Sequence, residues 1–179
     1  LNLVMFLSYG MTFGLIGISD VFVPLFYGDE FTSSSIVLVY LSPCMLFVSW
    51  ANVIRTQYLL PRKKDTLFCI SVIAGAIVNV ISNIILIPQY GAIGAAISTL
   101  FAEAFVCLLQ SIFANKDMKL LSSVVASVPY CLFGLIMLLI ILFIKTDSPI
   151  ITTVLRLVTG TFIYILLSFR FLKVSLNIK

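Results

Sequence analysis

The chain has 179 residues, of which 61% are hydrophobic and only 10% are charged, and its formal net charge is +4. A soluble domain is about 45–50% apolar and about 25% charged, and a chain of this size cannot bury so much apolar surface in its own core. The composition therefore excludes a soluble globular protein and predicts an integral membrane protein. The positive charge forms no basic stripe, so we interpret it as a topology signal and expect no nucleic-acid partner.

Six apolar segments follow one another along the chain, each near the length of about 20 residues that a bilayer-spanning helix needs. The predicted spans cover about residues 3–26, 34–54, 66–87, 92–113, 121–144 and 150–172. They do not alternate polar and apolar residues, which argues for helices, since backbone groups in lipid must pair within the element. The predicted fold class is all-α, a polytopic membrane helix bundle of six transmembrane helices.

Proline and glycine divide these segments. A polar turn at 27–30 ends the first span, and Pro43 and Pro129 are expected to kink the second and fifth spans. Residues 88–91, Pro-Gln-Tyr-Gly, predict a tight turn between the third and fourth spans.

The loops differ in charge on the two sides of the predicted bundle. One side has only Lys145, beside Asp29, Glu30 and Asp147. The other side collects nine basic residues: Arg55, Arg62, Lys63, Lys64, Lys116, Lys119, Arg170, Lys173 and Lys179. Short cytoplasmic loops are enriched in Lys and Arg, so the basic side, and with it both chain ends, is expected to be cytoplasmic.

Three ionisable residues fall inside predicted spans: Asp20, Glu103 and Arg156. A charge that faces lipid costs several kcal/mol, so each is expected to face a partner or a wet cavity. Asp20 and Arg156 lie at matching depth, about 9 Å inside the outer boundary at 1.5 Å per residue. A structural ion pair and a role in lining a cavity both stay open for them, while Glu103 lies nearer the middle of its span.

Amide and guanidinium groups add further polar candidates. Asn79 and Asn83 are four residues apart and point the same way from one helix, where they predict either an interhelical hydrogen bond or a polar path. Arg55, at the cytoplasmic end of the second span, either extends its charge to the interface or faces a cavity.

No catalytic constellation is present. The chain has no histidine, no pair of carboxylates at close helical spacing and no phosphate-cradling loop, and none of its four cysteines forms a CxxC pair. The sequence therefore predicts no enzyme activity, no metal site and no cofactor.

Two stretches carry a family resemblance. One is residues 52–61, NVIRTQYLLP, and the other is residues 75–99, which run on to Ala102-Glu103. The second stretch contains an N…N…IP-x-YG-x-x-GAA…AE pattern. The pattern resembles the polysaccharide-biosynthesis, or oligosaccharide flippase, family of the multidrug/oligosaccharidyl-lipid/polysaccharide transporter superfamily. The turn Tyr-Gly-Asp-Glu-Phe at 27–31 is also similar to that family, and the resemblance covers roughly residues 1–115.

The resemblance implies one lobe of a two-lobe transporter in the bacterial plasma membrane, specifically the carboxy-terminal lobe. Such a protein moves undecaprenyl-diphosphate-linked oligosaccharide units for capsule, O-antigen or exopolysaccharide synthesis by alternating access. The first two helices of each lobe line the shared cavity, which favours Asp20, Asn52 and Arg55 as substrate contacts and disfavours Arg156. The amino-terminal lobe is expected as a partner, because the chain is part of a longer protein or pairs with another lobe.

Three alternatives stay open. An ion-coupled multidrug exporter of the same superfamily would use an acidic residue such as Asp20 as a proton or sodium site. An embedded enzyme of the same pathway is disfavoured by the missing histidine and by the short loops. A non-transporting assembly partner or truncated remnant is the third.

Overall fold

The computed structural model describes residues 1–115 and 120–175, and every regular element in these ranges is helical. The helices are α1 Asn2–Tyr27, α2 Ser34–Leu41, α3 Cys44–Ile54, α4 Asp65–Ala114, α5 Leu120–Leu142 and α6 Pro149–Ser175. A 3₁₀ turn covers Asp29–Phe31 and a π-helical turn covers Arg55–Leu59. Within the described ranges, five helical segments are long and apolar enough to cross a membrane.

The second predicted span is divided into two helices. α2 ends at Leu41 and α3 begins at Cys44, so the helix is interrupted at Pro43, where the sequence predicts a kink. Thr12 of α1 donates a hydrogen bond to the Ser42 carbonyl at 3.2 Å, which ties α1 to this interruption. The helical path continues beyond the predicted end at Ile54 through the π turn to Leu59.

The 50-residue α4 contains both the third and the fourth predicted spans. Helical geometry continues through Pro88 and breaks only at Gly91, with φ 55° and ψ −130°, a conformation open to glycine and strained for other residues. The predicted turn at 88–91 is therefore confined to its last residue. Since α4 is one of the five segments, the count of six spans stays a prediction.

The two halves of α4 lie against each other. Gln110 donates to the Ser71 hydroxyl at 3.0 Å across 39 residues, and the Cβ position of Gly75 lies 3.6 Å from the Ala102 carbonyl oxygen. A methyl group on Gly94 would lie 3.0 Å from the Ile87 backbone nitrogen. The chain therefore reverses direction near Gly91, and small residues allow the close contact.

Removal of the Ser71 hydroxyl is expected to weaken this helix pair modestly. Ser71→Ala should lower the free energy of unfolding by about 0.6–1.7 kcal/mol, which lies between the average and the maximum measured for hydrogen bonds between membrane helices. Unfolding in mixed detergent micelles measures the loss. The control is Ser33→Ala at an exposed position just before α2, where the hydroxyl makes no cap hydrogen bond; an equal loss in both variants would contradict a specific role for Ser71.

α1 is the central helix of the bundle. On one side its Met5 joins a buried cluster with Trp50, Ile54 and Leu59. On the other side the Tyr164 hydroxyl of α6 donates to the Phe6 carbonyl at 2.7 Å, and the two rings stack at 5.1 Å. α1 thus joins the α2–α4 part of the chain to the α5–α6 pair.

The last two predicted spans correspond to α5 and α6, with boundaries within three residues of the predicted ones. α5 is one continuous helix through Pro129. The orientation in the membrane stays a prediction. Of the residues on which it rests, Lys116, Lys119 and Lys179 lie outside the described ranges, and so does the side chain of Arg170.

Candidate functional site

Arg156 of α6 is the largest of the fully buried side chains, with 1% of its surface exposed. Its Nη1 donates to Asp20 Oδ1 at 2.6 Å and to the Gly17 carbonyl at 2.9 Å, and its Nε donates to the Ile144 carbonyl at 3.0 Å. Gly17 and Asp20 belong to α1, and Ile144 follows the end of α5. One guanidinium therefore ties three helices together.

The ion pair matches one of the two alternatives that the sequence left open. Asp20 and Arg156 contact each other directly. The two partners differ in solvent exposure, because the Asp20 side chain is 55% exposed while Arg156 is buried. A buried charge needs a partner, so the pair explains how α6 tolerates an arginine inside an apolar bundle. Whether Asp20 also contacts a substrate stays a prediction.

A polar cleft opens beside this pair, with a volume of about 570 Å³. The cleft is lined by Asp20, near the end of α1, and by Asp29, in the following turn. It is also lined by Lys145, in the loop between α5 and α6, and by Thr152 of α6. The Thr146 and Thr152 hydroxyls lie 2.7 Å apart, and the Thr146 amide donates to Thr152 Oγ1 at 3.1 Å. These hydrogen bonds hold the loop before α6 in place, and both signs of charge line the cleft.

Asn52 and Arg55 lie at the opposite end of the bundle. Asn52 is exposed near the end of α3, and Arg55 is half-buried at the first residue of the π turn, 5.4 Å from the Phe68 ring centre. Arg55 Nε is buried without a hydrogen-bond partner among the described residues. Guanidinium groups bind aromatic faces and phosphate oxygens well, so Arg55 remains suited to an anionic ligand.

The three predicted cavity residues therefore do not form one cluster. Met5 lies in the same buried cluster as Trp50 and Ile54, close to Asn52 and Arg55 in the chain. Asp20 is fifteen residues farther along α1, about 22 Å away at 1.5 Å per residue. A ligand that contacted both ends at once would have to span about 22 Å.

The two predicted amides contact each other. Asn83 Nδ2 donates to Asn79 Oδ1 at 2.7 Å along the same helix. Residues four apart on a helix are neighbours, so this bond lies within α4, and the interhelical bond or polar path that their shared face predicts stays a prediction. Glu103 is half-buried on the second half of α4, and its role stays a prediction.

Three polar groups were missed by the sequence analysis. Gln110 is buried and holds Ser71, Trp50 donates to the Ser111 hydroxyl at 3.0 Å, and the Tyr58 ring lies under the cations of Arg62 and Lys64 at 4.4 and 4.6 Å. Gln110, as an amide inside an apolar run, could have been noticed. The other contacts depend on which helices meet, and one sequence does not contain that information.

Among the described residues, no three His, Cys, Asp or Glu side chains come together as metal ligands. The polar groups that the described residues place within the apolar bundle are the Asp20–Arg156 ion pair, amides and hydroxyls. The fold and this polar cleft together define a multi-pass membrane protein, with helices long and apolar enough to cross a bilayer.

Comparisons with known proteins indicate which kind of membrane protein this chain resembles. No protein-family model matches the chain, and no solved structure matches it. Over 104 residues, 58% of the chain, it is 29% identical to the protein described as "Probable low-salt glycan biosynthesis flippase Agl15" from Haloferax volcanii. The chain covers 22% of the length of that relative. The likeness is to a flippase, which is a transporter, and it is compatible with the resemblance found in the sequence.

Proposed function

We propose that this chain is the carboxy-terminal lobe of a flippase that moves a lipid-linked oligosaccharide from the cytoplasmic to the outer leaflet. The observation that carries the proposal is the similarity to a glycan biosynthesis flippase over 104 residues. The all-helical bundle of long apolar segments supports the same class. The substrate, in this proposal, is an undecaprenyl-diphosphate carrier in a bacterial plasma membrane, and the other lobe of the cavity comes from a partner or from further chain.

The proposal includes six membrane spans. The reversal at Gly91 and the contact between Ser71 and Gln110 support a division of α4 into two antiparallel spans. Each half would then have about 25 residues, near the length of about 20 that a bilayer requires. Six spans return the chain to its starting side, in agreement with the expected cytoplasmic location of both ends.

The chemistry of the cytoplasmic end suits the substrate. Asn52 is exposed and offers an amide to sugar hydroxyls, while Arg55 offers forked donors to diphosphate oxygens. In this proposal both act on the headgroup at the cytoplasmic end, and Asp20 acts near the outer end. The polyprenyl tail remains in lipid while the two lobes rock around the headgroup.

The ion-coupled exporter is the less favoured alternative. It would need Asp20 as a proton or sodium site, but Asp20 Oδ1 already accepts a hydrogen bond from a buried guanidinium. A fixed cation beside the carboxylate opposes the binding of a second one. Steep ion dependence of transport without any lipid substrate would favour the exporter over the flippase.

Transport of a fluorescent lipid-linked oligosaccharide by the full-length protein in sealed vesicles tests the proposal. Loss of one charge-assisted phosphate contact removes about 1.5–3 kcal/mol, so Arg55→Ala should slow translocation about tenfold or more. Arg55→Lys should be intermediate because it keeps the charge and loses the fork. The matched control is Lys63→Ala, an exposed cation of the following loop.

Two outcomes would count against the proposal. Wild-type protein that moves no lipid-linked oligosaccharide would overturn the flippase function itself. Translocation at the wild-type rate in both Arg55→Ala and Asn52→Ala would leave the function standing and remove these residues from the site.

A further inference from the structure

A second cavity lies along the bundle, between α1, α5 and α6, with a volume of about 360 Å³. It is lined mainly by apolar side chains and by glycines of α1 and α6, including Gly10, Gly14 and Gly160. We call this cavity the α1–α6 groove. Arg156 lines both the α1–α6 groove and the polar cleft, so the two cavities meet at this residue.

The α1–α6 groove has the length of a hydrocarbon chain. It runs from Phe6 to Ile18 along α1, which is about 18 Å at 1.5 Å per residue. The hydrocarbon core of a bilayer is about 30 Å thick, so the groove is slightly longer than one leaflet. It ends at the polar cleft, as a lipid tail ends at its headgroup.

Gly14 leaves the middle of the groove open. A Cβ atom at Gly14 would meet nothing within 4 Å, whereas one at Gly10 would lie 2.7 Å from the Tyr164 ring. Gly10 therefore serves close helix packing, while Gly14 leaves space that no described side chain fills.

The charges that line the polar cleft complement a headgroup that carries both signs of charge. The Asp20 and Arg156 charges neutralise each other, which leaves the exposed Lys145 and Asp29, one cation and one anion, on its wall. A headgroup that carries a phosphate and an ammonium complements this pair, with its phosphate at Lys145 and its ammonium at Asp29. A headgroup with only negative charge would place part of that charge beside the Asp29 carboxylate.

We propose that the α1–α6 groove and the polar cleft form one binding site for a zwitterionic phospholipid, such as phosphatidylethanolamine. One acyl chain lies along Gly14, and the headgroup lies between Lys145 and Asp29. Apolar side chains gain little by leaving lipid for a groove, so the headgroup contacts supply the selectivity. The site is separate from the Arg55 end of the bundle and does not require transport.

Photolabelling of the full chain in vesicles tests this site. The vesicles contain phosphatidylethanolamine and phosphatidylglycerol, and the probe is phosphatidylethanolamine with a diazirine on one acyl chain. The label should map to residues lining the groove, such as Leu157, Thr161 and Ile165. Gly14→Trp fills the open space and should abolish this labelling, while Val158→Trp, on the exposed surface of α6 and outside the groove lining, should leave it unchanged.

The headgroup is tested by competition and by charge removal. Lys145→Gln should weaken labelling about tenfold, the effect of losing one charge-assisted contact, and excess phosphatidylglycerol should compete less well than phosphatidylethanolamine.

Thr161→Phe serves as a second groove-filling variant if Gly14→Trp does not fold. Labelling unaffected by both groove-filling variants would overturn the site, and so would labelling spread evenly over lipid-facing residues. Equal competition by phosphatidylglycerol would overturn the zwitterionic headgroup. Loss of labelling on addition of a separate amino-terminal lobe would assign the groove to a protein helix and overturn the lipid.

Discussion

Asp20→Ala is expected to destabilise the bundle by about 3 kcal/mol, because it leaves the Arg156 guanidinium buried without its counter-charge. Removing one partner of a buried ion pair typically costs about 3–5 kcal/mol. The lower end applies because the Asp20 side chain is 55% exposed and the cleft screens the interaction. The carbonyls of Gly17 and Ile144 still accept two hydrogen bonds from Arg156. Unfolding in mixed detergent micelles measures the loss.

The matched control is Asp29→Ala, which removes an exposed carboxylate from the same cleft. It should change stability by less than about 0.5 kcal/mol, as surface substitutions usually do. Asp20→Ala combined with Arg156→Leu should recover part of the loss, because no charge then remains buried. Equal stability of the Asp20→Ala and Asp29→Ala variants would show that the ion pair does not hold the bundle.

This experiment also separates two roles of Asp20. If Asp20→Ala unfolds the bundle, its loss of transport says nothing about substrate contact. A variant that keeps the stability of the wild type and still loses transport would return Asp20 to the substrate site.

Gly94→Ala is expected to destabilise the contact between the two halves of α4 by about 2–3 kcal/mol. An added methyl group would overlap the Leu86 carbonyl and lie 3.0 Å from the Ile87 nitrogen. Both are backbone atoms, which cannot rotate away as a side chain does, so the helix halves must separate. Overpacking of this kind costs about 1–3 kcal/mol. The same unfolding measurement applies, and cysteine crosslinking between positions 71 and 110 would report the separation directly.

Gly14→Ala makes the same chemical change in open space. Because a Cβ at Gly14 meets nothing within 4 Å, it should be neutral or stabilise the helix by about 0.5–1 kcal/mol, the difference in propensity between alanine and glycine. Similar losses in Gly94→Ala and Gly14→Ala would mean that backbone flexibility, and not close packing, explains the glycine at 94.

The polar residues show how far each kind of sequence signal extends. Equal depth of Asp20 and Arg156 follows from counting residues along two spans, and this was enough to name them as partners. The alternative, in which Asp20 lines one cavity together with Asn52 and Arg55, could not be judged by counting residues. The two groups lie about 22 Å apart along α1, and only the packing of α1 against α3, through the cluster of Met5 with Trp50 and Ile54, makes that visible.

The asparagines give the opposite lesson. Their spacing of four residues placed both side chains on one face, which was right, but the same spacing lets them bond to each other within α4. The Gln110 amide, by contrast, reaches the other half of its helix. Periodicity gives the face of a helix, and it does not say whether a neighbour on that face satisfies the group first.

The sequence by itself determined that lipid surrounds this protein and that its secondary-structure elements are helices. Its apolar content leaves lipid as the environment, and in lipid the backbone must satisfy its own hydrogen bonds, so long apolar segments become helices whose ends follow from proline, glycine and charge. Only the tertiary structure decided that the direction changes at Gly91, that Arg156 joins three helices, and that a groove meets a polar cleft at this residue. These features depend on which helix faces which, and that choice rests on small differences in close packing between surfaces that are all apolar.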